Sequence, residues 1–396
     1  MVTRRDLLTV GVVTATALGA RVPDAFARAV AAADAAIPSS TGAAPDASMT
    51  AGLVVGPGPA GRCDDSKVGI GVPRWDSRSR RWLLWYYCRD AAYDPGAPRT
   101  LGTGRVALAT SRDGLEWARF DGPLGKGAVL EHGVEPEYDA LHLGITDVTY
   151  ARGQWWMWCF GGNRERRQTV VGALPGMGMR PGLATSRDGI RWTKLRGRAP
   201  GGALIDIRND QEVFASWVNG LYDGGRFGMF FTSVDNGVSL FRSWVTWSSD
   251  ALDWSPPQEL VWIDGVRDWD AKGIMTRHVQ RNFLGHPERW LMLYTALHGA
   301  KARNMQRSIA AAVSDDLVHW RHLHDAPILT VGAAGAWDSG GVSAPQLLKV
   351  GRELRLYYFG FPPPKDEERL PKGVGLAISR DGSLLGFERH TGRAAV

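Results

Sequence analysis

Ala109-Thr-Ser111-Arg-Asp113-Gly114-Leu-Glu-Trp117 returns, nearly unchanged, as Ala184-Thr-Ser186-Arg-Asp188-Gly189-Ile-Arg-Trp192. Looser copies follow at Ser248-Ser-Asp250 with Trp254, at Ser314-Asp-Asp316 with Trp320, and at Ser379-Arg-Asp381-Gly382. The serines are spaced by 75, 62, 66 and 65 residues, and the first four copies carry Trp six residues after Ser. The last has Leu385 there and Phe387 nearby. A period of this length marks a repeat architecture, with each repeat one supersecondary unit. Each copy follows an alternating strand such as Arg105-Val-Ala-Leu-Ala109, so Asp-Gly supplies the turn into the next short strand. An Asp that binds its own turn backbone explains the motif without catalysis.

Two further strands precede each copy, predicted at 68–75 and 81–88, 144–150 and 154–160, 212–218 and 226–232, 273–279 and 290–295, and 341–350 and 353–359. Four strands per unit at this period predict an all-β, five-bladed β-propeller of four-stranded antiparallel blades around a central funnel. Separate small sheets would each leave a face unburied. The fifth blade is thin after Asp381, and 52–55 is available as its closing strand. Composition agrees: 49 Gly, 22 Pro and 17 Trp, with runs such as Trp82-Leu-Leu-Trp-Tyr-Tyr87, describe aromatic-rich strands joined by turns.

Thr3-Arg4-Arg5-Asp6-Leu7-Leu8 and the uncharged stretch that follows read as a twin-arginine export signal, with Ala25-Phe26-Ala27 as a cleavage site. The expected organisation is a signal and Ala-rich leader over 1–36, a linker over 37–59 and the propeller over 60–396. Export would make the mature protein secreted or periplasmic, soluble, not membrane-bound and monomeric. The net charge of +6 comes from scattered Arg, with no basic block or nucleic-acid motif, so nucleic acid is not an expected partner. Cys63, Cys88 and Cys159 lack metal-ligand spacing and are assigned no chemistry, although one bridge fits an oxidising compartment.

The first strand of each propeller blade lines the channel, so polar residues near its start are candidates for function. An Asp follows an aromatic before three of these strands, as Tyr138-Asp139, Trp269-Asp270 and Trp337-Asp338, and eight residues beyond each stands Asp147, His278 or Gln346. The corresponding first-blade segment runs from Asp64-Asp65 to Pro73-Arg74, and the third-blade segment from Asp210-Gln-Glu212 to Trp217.

The five repeats, with Met179-Arg-Pro-Gly-Leu-Ala184, Trp269-Asp-Ala-Lys-Gly273 and Arg277-His278, resemble the arabinanase, levansucrase and invertase superfamily over roughly residues 60–385. The resemblance implies a carbohydrate-active enzyme that hydrolyses or transfers a glycosyl group. Glycoside hydrolase families 32, 43 and 68 use an Asp of the first blade, an Asp of the second and a Glu of the third, because glycosidic cleavage needs one acid and one base or nucleophile. Thr146-Asp147-Val148 matches the second position. The residue before Pro73 is Val72 where those families carry Asp, and Ala215-Ser216-Trp217 stands at the level of their Glu. Asp65, Asp147 and Glu212 form a shifted triad; the competing reading has Asp65 and Glu212 capping turns or pairing with nearby cations.

His278 is a further catalytic candidate, since His moves protons near neutral pH. Arg74, His142, Trp217, Asp270, Lys272, Arg277 and Gln346 are candidate substrate-binding residues. His142 reads equally as a packed core histidine, and Trp217 is the best Trp for stacking on a sugar. No cofactor is required and no metal-ligand set is assigned, while the resemblance allows a Ca²⁺ on the channel axis. Two other readings remain open: a lyase, isomerase or cyclase that uses Asp147, Arg277 and His278 on a small molecule, and a non-catalytic glycan-binding protein.

Overall fold

The computed structural model describes residues 49–92, 104–169, 172–235, 240–299 and 306–392. The signal and leader expected over 1–36 lie outside these residues. Five antiparallel sheets follow one another along the chain as the blades of a β-propeller, as expected. Blade I comprises Lys67–Asp76, Arg81–Arg89, Arg105–Ser111 and Ala118–Phe120; blade II comprises His142–Ala151, Gln154–Gly162, Arg180–Ser186 and Thr193–Leu195. Blade III is built from Glu212–Asp223, Arg226–Asp235, Phe241–Ser248 and Gln258–Glu259. Blade IV has Ile274–Arg281, Trp290–His298, Gln306–Ser314 and His319–His322, with Val261–Trp262 added in parallel outside. A small hairpin, Arg166–Thr169 with Gly172–Pro175, stands apart from the blades and was not foreseen.

Blade V has Gly341–Val350, Glu353–Phe361 and Gly373–Ser379, and its outer place is shared by two short pieces. Leu53–Val55 pairs with the start of Gly373–Ser379, and Glu388–Arg389 with its end. The first and last strands of the described residues thus meet on one strand. Gly52 N–H donates to His390 C=O and Leu376 N–H to Gly52 C=O, each at 2.7 Å.

The middle strands read as near-continuous apolar runs because both their faces are covered by neighbouring blades. One hydrophobic cluster fills each seam between adjacent blades: Trp85 with Met157, Trp158 with Phe227, Phe230 with Tyr294, Leu293 with Leu347, and Tyr357 with Leu84 represent the five. Blade packing, not sugar stacking, occupies most of the tryptophans.

The repeated motif closes each blade's outer turn. Ser186 Oγ donates to Asp188 and accepts from Gly189 N–H, while the Asp188 carboxylate accepts from Ile190 N–H and Arg191 N–H. Copies around Ser111, Ser248 and Ser314 repeat this pattern. The residue after Asp lies at φ 76° for Gly114 and Gly189, a left-handed value that suits glycine. Ala251 and Leu317 accept similar values in the looser copies, which shows how far the turn chemistry constrains the chain. The turn also clasps the preceding blade, since Trp85 Nε1 donates to Gly189 C=O at 2.7 Å and the Tyr357 hydroxyl to Gly114 C=O.

These turns predict an acid limb of instability. Burial tends to raise the Asp316 carboxyl, but the N–H groups of His319 and Val318 and the His319 ring outweigh it and hold the group at about 2. The unfolded value is about 3.9. A depressed folded pKa contributes stability above the unfolded value, and that contribution is lost as pH falls from about 4 towards 2. Asp316→Asn is expected to flatten this limb in a plot of Tm against pH. An unchanged slope would count against the assignment.

Candidate functional site

All five inner strands carry a break in register, between Val68 and Gly71, Ile145 and Asp147, Ser216 and Asn219, Ile274 and Arg277, and Ser343 and Gln346. Such bulges bend a strand and re-aim its side chains. Immediately beyond them Asp147, Asn219, His278 and Gln346 form a ring at the throat of the channel.

Each ring member reaches the backbone of the next blade. Asp147 Oδ2 accepts from Gly220 N–H at 2.9 Å, Asn219 Oδ1 from Val279 N–H at 3.0 Å, and His278 Nδ1 from Leu347 N–H at 3.0 Å. In every case the donor lies one residue past the next ring member. By this rule Gln346 would accept from residue 73, but Pro73 has no N–H to give. Val72, the blade I member, has no acceptor to offer.

Arg74 fills the break. Its guanidinium donates to Asp147 Oδ1 at 2.6 Å, Gln346 Oε1 at 2.9 Å, Val148 C=O at 2.8 Å and Pro73 C=O at 2.8 Å. The Asp147 carboxylate also accepts from Val148 N–H at 2.8 Å and from the Asn219 side-chain amide. Asp147 is 1% exposed, Gln346 1% and His278 6%, so these ring members are buried where the inner strands meet. Burial pushes the Asp147 carboxyl up, against the pull of Arg74, the Gly220 and Val148 amides and Asn219. Because His278 Nδ1 accepts a hydrogen bond, its proton sits on Nε2. Burial and the nearby Arg74 charge hold this imidazole well below the ordinary histidine range. At neutral pH it is an uncharged donor rather than a base.

The structure therefore brings together Arg74, Asp147, His278 and Gln346 of the residues expected from sequence, and adds Asn219. The others lie elsewhere. Asp65 accepts from Gly61 N–H at 2.8 Å and Ala91 N–H at 2.7 Å, which is the turn-capping arrangement. Glu212 forms an ion pair with Arg208, which itself lies over the Trp244 ring. Neither acid is drawn to Asp147 by any bond among the described residues. His142 is packed against Phe160 and bonded through Nε2 to Gly176 C=O at 2.8 Å, and burial pushes its pKa down to about 4.

Asp270 belongs to a structural series. It accepts from the Tyr294 hydroxyl and bonds His322 on the outer strand of its own blade. Asp64 does the same with Tyr86 and Arg119, and Asp338 with Tyr358 and Arg389, while Asp139 pairs with Lys194. In these four blades the Asp placed eight residues before the ring position thus ties the inner strand's approach to the blade's rim. Lys272 is half-buried in the same approach, its backbone bonded to Leu297 and Phe241.

Arg277 turns into the seam between blades III and IV. It donates to the Thr232 hydroxyl, to Ser243 Oγ and to the carbonyls of Trp217 and Met275. Burial lowers it to about 9. Trp217, at φ 49°, stacks on Phe241 and is partly buried, as is Met275.

Among the described residues no cluster of three or more His, Cys, Asp or Glu is arranged to hold a metal ion. The throat that the resemblance would give to Ca²⁺ contains a guanidinium and an imidazole N–H, a donor set that repels a hard cation. No helix of the described residues is long and apolar enough to cross a membrane.

No family profile matches the chain, and no curated protein matches it in sequence. Solved structures do. An N-acetylgalactosamine deacetylase from F. plautii in complex with blood group B trisaccharide superposes with TM-score 0.56 at 15% identity, over 84% of this chain and 95% of that one. A member of the GH130 family of mannoside phosphorylases, described with hydrolases that target β-1,2 mannosidic linkages in Candida mannan, gives 0.55 at 16% over 88% and 99%. The β-1,2-mannobiose phosphorylase of Listeria innocua gives 0.54 at 14% over 78% and 88%. The chain thus has the five-bladed β-propeller fold found in glycoside hydrolases, a glycan deacetylase and mannoside phosphorylases.

Proposed function

We propose that the protein is a carbohydrate-active enzyme that takes a glycan or oligosaccharide into the funnel and acts on it above the throat, with Asp147 as its acid. The observation that carries this reading is the buried ionisable ring of Arg74, Asp147 and His278, set at the centre of an architecture shared over almost the whole chain with enzymes of glycans. Arg74 keeps Asp147 paired as a carboxylate, so its proton-donating form is reached when that pair opens, and burial, which raises the carboxyl, favours that form. Hydrolysis by two carboxyls requires them about 5–9.5 Å apart across the substrate. With Val72 and Asn219 as the first- and third-blade members of the ring, Asp147 is the acid on which this chemistry rests, and the second participant comes from the substrate or a co-substrate.

Those same replacements favour the second reading, a non-hydrolytic enzyme of a small molecule or a glycan binder. One experiment separates them. The purified protein is assayed on arabinan, fructan and β-mannosides, with and without inorganic phosphate, for released reducing sugar and consumed phosphate. Turnover is expected, reduced by about a hundredfold or more in Asp147→Asn with unchanged near-UV circular dichroism. Full activity in that folded variant would remove Asp147 from the mechanism. Glycan affinity without turnover would move the assignment to the binder, and neither affinity nor turnover would overturn the carbohydrate reading.

A further inference from the structure

Cys63 and Cys88 lie 25 residues apart in the chain, yet their sulfurs stand 3.5 Å from each other. Cys63 sits on the crossing between the closing strand Leu53–Val55 and the inner strand Lys67–Asp76; Cys88 lies in Arg81–Arg89 of blade I. Both are fully buried, and Cys159 is on blade II, away from the pair. A disulfide requires the sulfurs at about 2.05 Å, a closure that side-chain rotation supplies when they already touch. The backbone on either side is fixed. Cys63 N–H donates to Lys126 C=O at 2.9 Å, and the adjacent Asp64 accepts from Tyr86 and Arg119.

We propose that Cys63 and Cys88 are a disulfide site, oxidised by a small-molecule or protein disulfide, which staples the chain crossing where the propeller ring closes. Cys63 loses its proton and attacks one sulfur of the oxidant disulfide, expelling the other as a thiolate. Cys88, once deprotonated, attacks the Cys63 sulfur of the mixed disulfide and expels the second thiolate. The two cysteines lose two electrons and two protons, and the oxidant becomes two thiols. Burial raises the Cys88 thiol well above its ordinary range, so the second step is slow in the closed fold and fast while blade I is still open. Once formed, the bond is shielded from reductants by the same burial.

The bond would close the loop 63–88, which holds the inner strand of blade I and the hairpin into its second strand, and would tie to that blade the segment arriving from blade V. A crosslink of this span stabilises mainly by restricting the unfolded chain. The test is refolding from denaturant in a glutathione redox buffer, with a fully reduced sample alongside. Thiols are counted in denaturant by maleimide labelling, and peptides are mapped without reduction. The oxidised protein is expected to show one labelled cysteine, Cys159, a crosslinked Cys63–Cys88 peptide and a Tm higher by roughly 5 °C. Cys159→Ser should keep this rise, and Cys88→Ser should lose it. Three labelled cysteines after oxidative refolding to a native spectrum, or a crosslink that includes Cys159, would overturn the proposal.

Discussion

At pH 7 the Arg74→Ala protein is expected to be less stable than the parent by about 3–5 kcal/mol, the cost of leaving one partner of a buried ion pair uncompensated. The guanidinium serves four acceptors at the break in the ring, and its Nη2 lies 2.6 Å from a carboxylate that is almost fully buried. Removing it leaves Asp147 charged in a dry throat with only amide donors. The Asp147 folded pKa already exceeds the unfolded value. A raised group is most favourable to the fold below the unfolded pKa, and that advantage is lost as pH rises through the folded pKa. Without Arg74 the folded value climbs further. The deficit should therefore shrink as pH is lowered from 7 to 5, as the carboxyl takes up its proton. Urea unfolding at both pH values measures it. In the Arg74→Ala/Asp147→Asn double variant the losses should be clearly less than additive. Equal deficits at the two pH values, with full additivity, would show that the pair does not hold the throat.

A chain that begins at residue 58 is expected to lose its cooperative unfolding transition, while one that begins at Met49 keeps it. Leu53, Val54 and Val55 are buried, and they serve two seams at once: Leu53 packs between blades IV and V, Val54 and Val55 between blades V and I. Burial of each such side chain stabilises by about 1.5–3 kcal/mol, so the strand contributes roughly 5–8 kcal/mol. That is comparable to the whole stability of an ordinary domain. The backbone loss adds to it, because Trp337 N–H donates to Met49 C=O and Trp337 Nε1 to Ala51 C=O. Val54→Asp in the full-length chain places a charge in the same seam and should act in the same direction. The readout is differential scanning calorimetry. An undiminished transition in the shorter chain would mean that blade V closes without this strand.

The propeller was legible because its signature is local. Ser, Asp and the left-handed residue after Asp all act within one turn, so their spacing survives in the sequence even where Gly is replaced by Ala251 or Leu317. The throat was legible in part for a similar reason: the eight-residue offset from Asp139 to Asp147, Asp270 to His278 and Asp338 to Gln346 reflects a constant path from rim to channel. What the Asp at the start of that path does was not legible. Its partners Arg119, Lys194, His322 and Arg389 come from outer strands, and only the order of strands in the blade brings them close. Asn219 was missed because blade III lacks the aromatic-Asp marker and has Gln211 eight residues before it. The remaining signal was a lone Asn in the apolar run from Phe214 to Leu221. Asp65 and Glu212 have the residue type that the resemblance demands, but their nearest backbone donors and cations decide where they point. The fold comparison, at 14–18% identity, likewise establishes the scaffold and leaves the chemistry to the residues.

Pro73 withholds one amide from the circle of hydrogen bonds, and Arg74 stoppers the gap it leaves. One long side chain thus bridges this joint, where three others use a backbone amide. Exchange of that one side chain is therefore the change that opens the circle while leaving its other joints in place.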